Sequence, residues 1–294
     1  MLRSSPLRVF AVNPFASVVD SHVHFWDPEH LDYPWLDGLP RLRRSFTPAD
    51  LDRDAAGVPL EALIFVECNC RGEQSLDEAR AIAEMAERDP RIRGIVAFAD
   101  LTLPDQLDDL LDAYRGIGLV RGVRHNIQGN PPGFCVSDRF VEGVREVGRR
   151  GLTFDLCATH HQLAEVVALA RACPDTSLVL DHCGKPAIGV RLLDPWREHI
   201  RELAALPHVS CKLSGLLTET GPTGWTEDDL LPYAAHVAEA FGPNRLMYGG
   251  DWPVLSLAGT YLEWYQFTRR FTGDWSDAQR SSFYGGNALR FYGI

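Results

Sequence analysis

Two histidines, His22 and His24, stand two positions apart in Val18-Val19-Asp20-Ser21-His22-Val23-His24, a stretch apolar enough to be a strand. Alternate residues of a strand share a face, so both imidazoles can aim at one point. Phe25-Trp26-Asp27-Pro28 then breaks the strand and leaves the pair at its carboxyl end. Other apolar runs also finish in ionisable groups: Glu67, Asp100, Arg124 with His125, Asp155, Asp181 with His182, Lys212 with Ser214, and Asp251. Histidines gathered around a carboxylate suit hydrolysis of a polarised carbonyl. Water gives a proton to the carboxylate. Imidazoles, or a metal they bind, stabilise the charge growing on the carbonyl oxygen. Three nitrogen or oxygen ligands with an open fourth position is the catalytic zinc arrangement, and His22, His24 and Asp251 could supply it.

Plainer readings exist beside these. Arg124 could serve only as an ion-pair partner of Asp155, and Glu67 of Arg71, because buried charges need partners. Asp100 suits the loop that follows it, and His182 could simply cap its own loop. His160 and His161 begin a helix, so at most one of them would face a site. Asp251 is the hardest to read as idle. Flexible Gly249-Gly250 precedes it and rigid Trp252-Pro253 follows, which positions a side chain closely.

The elements that must position these groups alternate along the chain. Strand-length apolar runs begin near Val18, Ala62, Gly94, Val120, Thr153, Leu178, Val209 and Arg245. Amphipathic helices are expected from Ser75, capped by Ser75-Leu76-Asp77-Glu78, then over 104–115, 138–149, from about Leu163, and over 191–205, 227–240 and 257–270. A closing helix is expected over 276–286. Continuously apolar strands separated by helices imply a parallel sheet buried on both faces. Eight such units in 294 residues predict an α/β fold, a (β/α)8 TIM barrel. An open doubly wound sheet would usually carry a glycine-rich phosphate turn, and no G-x-G-x-x-G occurs. The expected organisation is one barrel domain over 1–294. Residues 1–17 form an N-terminal extension and 25–57 a long loop, within which Thr47-Pro48-Ala49-Asp50 caps a short helix. In such a barrel, functional groups gather at the carboxyl ends of the strands.

Composition narrows the partners. A net charge of −11 argues against nucleic acid or an anionic membrane as the main partner. No run approaches the ~20 apolar residues that cross a bilayer. Seven cysteines without zinc-finger spacing predict buried thiols in a reducing compartment, hence a cytoplasmic protein. Cys68-Asn69-Cys70 reads the same way, rather than as a soft-metal pair.

Five segments together resemble the lactonase branch of the amidohydrolase superfamily (amidohydrolase 2 type). They are His22-Val23-His24-Phe25-Trp26-Asp27-Pro28, Arg121-Gly122-Val123-Arg124-His125, Leu180-Asp181-His182-Cys183-Gly184-Lys185-Pro186, Lys212-Leu213-Ser214-Gly215 and Tyr248-Gly249-Gly250-Asp251-Trp252-Pro253. That branch includes L-fuconolactonase, L-rhamnonolactonase, 4-sulfomuconolactone hydrolase and 2-pyrone-4,6-dicarboxylate lactonase. The resemblance runs from about Val18 to the C-terminus and implies hydrolysis of a small sugar-acid or cyclic-acid lactone. It implies Asp251 as general base, with His22, His24 and His182 around the carbonyl oxygen or a metal. Arg124, with His125 and Glu67 near it, would bind an anionic or hydroxylated part of the substrate, and Trp26 and Trp252 would be pocket walls. No lysine ends the fourth strand, so at most one divalent metal is expected, zinc first among candidates, with metal-independent activity left open. The competing readings are a metal-dependent non-oxidative decarboxylase, using His160 or His161, and a non-catalytic barrel.

Overall fold

The computed structural model describes residues 17–222 and 224–294. The N-terminal extension expected over 1–17 therefore lies, Ser17 apart, outside the described residues. Eight parallel strands form one sheet in sequential order. They are β1 (Val18–Val23), β2 (Leu60–Val66), β3 (Ile92–Phe98), β4 (Val120–Arg124), β5 (Thr153–Leu156), β6 (Leu178–Leu180), β7 (Val209–Leu213) and β8 (Leu246–Tyr248). Sequential order among parallel strands requires a helical crossover after each one. The main crossovers are α2 (Ser75–Arg88), α3 (Pro104–Ile117), α4 (Asp138–Arg149), α5 (Leu163–Ala172), α6 (Trp196–Ala204) and α7 (Glu227–Phe241), after the short α1 (Pro48–Asp54) in the long first loop. The chain ends with α8 (Tyr261–Phe271), α9 (Asp277–Ser281) and α10 (Asn287–Tyr292).

The barrel closes just beyond β8. Asp251 N–H donates to the His22 carbonyl at 2.8 Å, and His24 N–H donates to the Trp252 carbonyl at 2.8 Å. Ser21 Oγ adds a bond to the Tyr248 carbonyl at 2.6 Å. The seam thus fixes Asp251 beside the two histidines. That is the fold's main contribution to the site. Inside the barrel, Val19, Ile64, Val96, Val179 and Met247 form an apolar layer, into which α10 packs Ala288 and Tyr292. Outside, helices bury regular apolar faces, as α4 does with Phe140, Val144 and Val147.

Thr47 caps α1 with a reciprocal Asp50 bond, as expected. The structure departs from the sequence reading at three helix starts and within the closing helix. Ser75 is the first residue of α2 rather than its cap, because Glu78 turns inward and accepts the Cys68 N–H at 3.2 Å. The helix expected from 191 begins at Trp196, past Asp194-Pro195, and the one expected from 257 begins at Tyr261, where Thr260 and Glu263 form a capping box. The closing helix is split by a wide turn over Ser282–Gly286, where Gly285 passes close to Val19. All seven cysteines are free and buried. Among the described residues, no helix is long and apolar enough to cross a membrane.

Candidate active site

The site is built from side chains at the carboxyl ends of β1, β6 and β8. His24 Nδ1 lies 2.7 Å from the Val66 carbonyl. A carbonyl only accepts, so Nδ1 carries the proton and Nε2 presents its lone pair. That Nε2 is 3.1 Å from His22 Nε2. Asp251 Oδ1 stands 3.5 Å from His24 Nε2, 3.8 Å from His22 Nε2 and 3.8 Å from His182 Nε2. His182 is oriented through Nδ1, 2.9 Å from Ser214 Oγ. One carboxylate oxygen therefore faces three imidazoles.

Local backbone makes this convergence attainable. Asp251 and His182 both sit in the left-handed region, at φ 55° and 52°, a strained conformation for residues with a side chain. Gly250 cannot carry a Cβ without striking Asp20 and Tyr261. At Gly215 (φ 64°) a Cβ would lie 2.5 Å from His182 Nδ1. Asp20, absent from the expected site, ties the two arms of the seam together. It accepts the His22 N–H at 2.9 Å, the Gly250 N–H at 2.8 Å and the Tyr261 hydroxyl at 2.5 Å. Burial pushes its carboxyl up to about 7.

Beneath the histidines lies a buried ionic layer. Lys212 pairs with Asp155, stands 3.0 Å from Asp181 and 3.2 Å from His22 Nδ1. Tyr292 of α10 donates its hydroxyl to Asp155 at 3.1 Å. Arg124 donates Nε to Glu67 Oε1 at 2.6 Å, Nη2 to the Glu67 carbonyl at 2.7 Å, and Nη1 to Asp181 at 3.3 Å. The plainer pairings are thus exchanged: Lys212 takes Asp155, Glu67 takes Arg124, and Arg71 pairs with Asp32 instead. Burial lowers His22 well below the usual imidazole range and brings His182 down to about 4. Burial alone would raise Asp251, but His182, His24 and His22 together outweigh it and hold the carboxyl below its usual range. At neutral pH the arrangement is an ionised Asp251 carboxylate facing the neutral rings of His22 and His182.

These donors fit a single divalent ion. Ligand atoms about 2 Å from one tetrahedral ion stand roughly 3.3 Å from each other. The His22, His24 and Asp251 separations of 3.1, 3.5 and 3.8 Å bracket that value. Each imidazole also has a partner on its far nitrogen, as metal-bound histidines do: the Val66 carbonyl for His24, and Asp181 with Lys212 for His22. His22, Asp181 and His182 form a second candidate ligand group.

A cavity of about 170 Å³ opens above this floor. His24, His182, Asp251, Arg124 and Glu67 line it from below, and Trp26, Trp35 and Val254 form an apolar side. The facing side carries Asn69, Asn126, Gln128 and Lys185, none of which the sequence reading singled out for a site. Trp252 does not reach the cavity. It is buried against Phe25 and Phe46, with Nε1 donating to Asp54 at 2.9 Å. His125 also points away, packed among Phe98, Phe134 and Phe140, where its Nδ1 accepts the Leu101 N–H at 3.2 Å. His160 turns to the Lys185 carbonyl at 3.1 Å and packs at a tilt against His161, and neither lines the cavity. A larger hollow of about 250 Å³ beside α4, near Arg145 and Cys173, contains none of the floor residues.

Comparison with known proteins agrees with the fold. The family model described as amidohydrolase matches residues 19–294. An L-fucono-1,5-lactonase of Burkholderia multivorans is 36% identical, the match covering 94% of this chain and 96% of that protein. A protein of the same name from Burkholderia ambifaria is 33% identical over 94% and 95%. The crystal structure of an amidohydrolase from Burkholderia multivorans with zinc bound superposes with a TM-score of 0.86 at 37% identity, covering 95% of this chain and all of that one.

Proposed function

This chain belongs to the amidohydrolase family, and from that premise we propose that it is a lactonase, which opens the ring of a small sugar-acid or cyclic-acid lactone with water. The observation that carries the reading is the Asp251 carboxylate, 3.5–3.8 Å from three imidazole nitrogens on the floor of a cavity sized for one small ring.

Asp251 accepts a proton from water as the water oxygen bonds to the lactone carbonyl carbon. His24 presents its Nε2 lone pair towards the cavity, with His22 buried behind it, an arrangement that suits a divalent ion beside the oxygen that gains the charge rather than a hydrogen bond to it. His182, 3.8 Å from Asp251, is placed to return the proton to the ring oxygen as the carbon–oxygen bond breaks. The product is an open hydroxy acid, which releases a proton to solvent at neutral pH. His22, His24 and Asp251 would hold a divalent ion, for which we propose zinc, and when bound it would polarise the carbonyl and lower the pKa of water. The seven free thiols fit a cytoplasmic setting. The decarboxylase reading draws no support from His160 and His161, which are turned away from the floor.

A panel of aldonolactones and aromatic-pathway lactones, followed by acid release with a pH indicator, tests the activity. Ring opening of at least one class is expected. Carbon dioxide release from aromatic acids, with every lactone left intact, would replace this reading with the decarboxylase. Elemental analysis of the same sample should find close to one zinc per chain, and a His24→Asn variant should lose it.

A further inference from the structure

The wall of the cavity opposite the tryptophans differs from the floor in kind. It is made of amides and one ammonium group, supplied by the loops after β2, β4 and β6. Asn126 Nδ2 donates to Asn69 Oδ1 at 2.9 Å, and Lys185 Nζ donates to Gln128 Oε1 at 2.8 Å. These groups are held in place. Asn69 N–H is anchored on Glu67 at 2.7 Å, and the Ile127 and Gln128 N–H groups both donate to the Cys157 carbonyl, at 2.9 and 3.0 Å. Asn126 Oδ1 is buried with no hydrogen-bond partner among the described residues.

The charges on the lining point the same way. Arg124 is spent on Glu67 and Asp181. Lys185 has Glu219, from the loop after β7, at 3.6 Å. Each cation on the lining thus has a carboxylate against it, while Asp251 adds a negative charge on the floor. A carboxylate or sulfonate on the substrate would meet no unpaired cation here, and the chain's net charge of −11 disfavours its approach. Hydroxyl groups, which both donate and accept, match amides and a neutralised ammonium.

We infer that the cavity selects uncharged lactones bearing several hydroxyls, read by Asn69, Asn126, Gln128 and Lys185, and that Glu219 sets this choice by cancelling the charge of Lys185. The inference rests on the lactonase reading and specifies its substrate class. Glu219 lies outside the floor and off the cavity lining, so Glu219→Gln alters the charge balance without touching the reacting groups.

The experiment compares kcat/KM for neutral aldonolactones with that for lactones of equal ring size carrying a carboxylate, in the wild type and in Glu219→Gln. The wild type should favour the neutral lactones by tenfold or more, roughly the discrimination one uncompensated charge provides. Glu219→Gln should narrow that ratio about tenfold through KM for the charged lactone, and the narrowing should fade at high salt. A wild type that prefers charged lactones overturns the inference and leaves the lactonase reading standing, as does a ratio unmoved by Glu219→Gln. Failure to open either class overturns both. Should Glu219→Gln not fold, the wild-type ratio decides alone.

Discussion

The floor and the polar wall of this cavity are built on opposite principles. The floor is made of strand-end side chains that are almost wholly buried, and each of its ions is held by a partner from another strand. Lys212, from β7, meets Asp155 of β5 and Asp181 after β6, and Arg124 of β4 meets Glu67 after β2. The wall is made of loop side chains, half-buried at Asn69, Asn126 and Lys185 and exposed at Gln128, bonded to one another in pairs. On the proposed reading, rigidity in the first serves chemistry, which needs groups held where charge develops. On the same reading, polar loop side chains in the second serve recognition.

If that division is right, damage to the two regions should register differently. Asp251→Asn should lower kcat by about 10²–10⁴ with the fold intact, as loss of a positioned base does. Circular dichroism and steady-state kinetics check it, and a near-normal kcat would remove Asp251 from the chemistry. Lys212→Met should act mainly on stability, by about 3–5 kcal/mol in denaturant titration, because it leaves the buried Asp155 without a counter-ion and near Asp181, which then keeps only Arg124 as a cationic partner. Gln128→Ala should leave stability and kcat nearly unchanged and raise KM for a hydroxylated lactone roughly two- to tenfold, the worth of a hydrogen bond. An equal loss in kcat would place Gln128 with the floor.

A separate effect, on pH dependence, concerns a buried carboxyl behind the cavity. Burial pushes Glu78 up to about 8 from 4.5. A group whose pKa is raised by folding contributes stability that is full below its unfolded value and lost as pH climbs through the folded one. Stability should therefore decline between pH 4.5 and about 8 on this group's account. Glu78→Gln, which keeps an acceptor for the Cys68 N–H, should flatten the decline in melting temperature by a few degrees.

The same division explains what could be read from the chain alone. The barrel and the floor were legible because apolar strands ending in ionisable groups follow from alternation and from the geometry of parallel sheets. Alternation also held the signal for one residue that lies elsewhere. His125 follows Arg124, so if Arg124 points inward, its neighbour must point out, into the Phe98 and Phe140 packing. Trp252 also parts from its neighbour Asp251, but beyond the end of β8, where Asp251 is left-handed and alternation is no guide. The wall was not legible. Asn69, Asn126, Gln128 and Lys185 come together only through loop shape, with Asn69 and Lys185 in left-handed conformations that asparagine favours and lysine does not announce. Lys185 stood within a recognisable segment, yet its sequence neighbours gave no hint of Gln128 or Glu219 across the gap.

The account's central claim is that Asp251 and its three histidines direct water to a lactone carbonyl. Turnover in ¹⁸O-enriched water, with the product examined by mass spectrometry, tests this directly. A single ¹⁸O in the new carboxyl group and none in the ring-derived hydroxyl is the predicted result. Label in the hydroxyl, or an unopened ring accompanied by carbon dioxide, would contradict it.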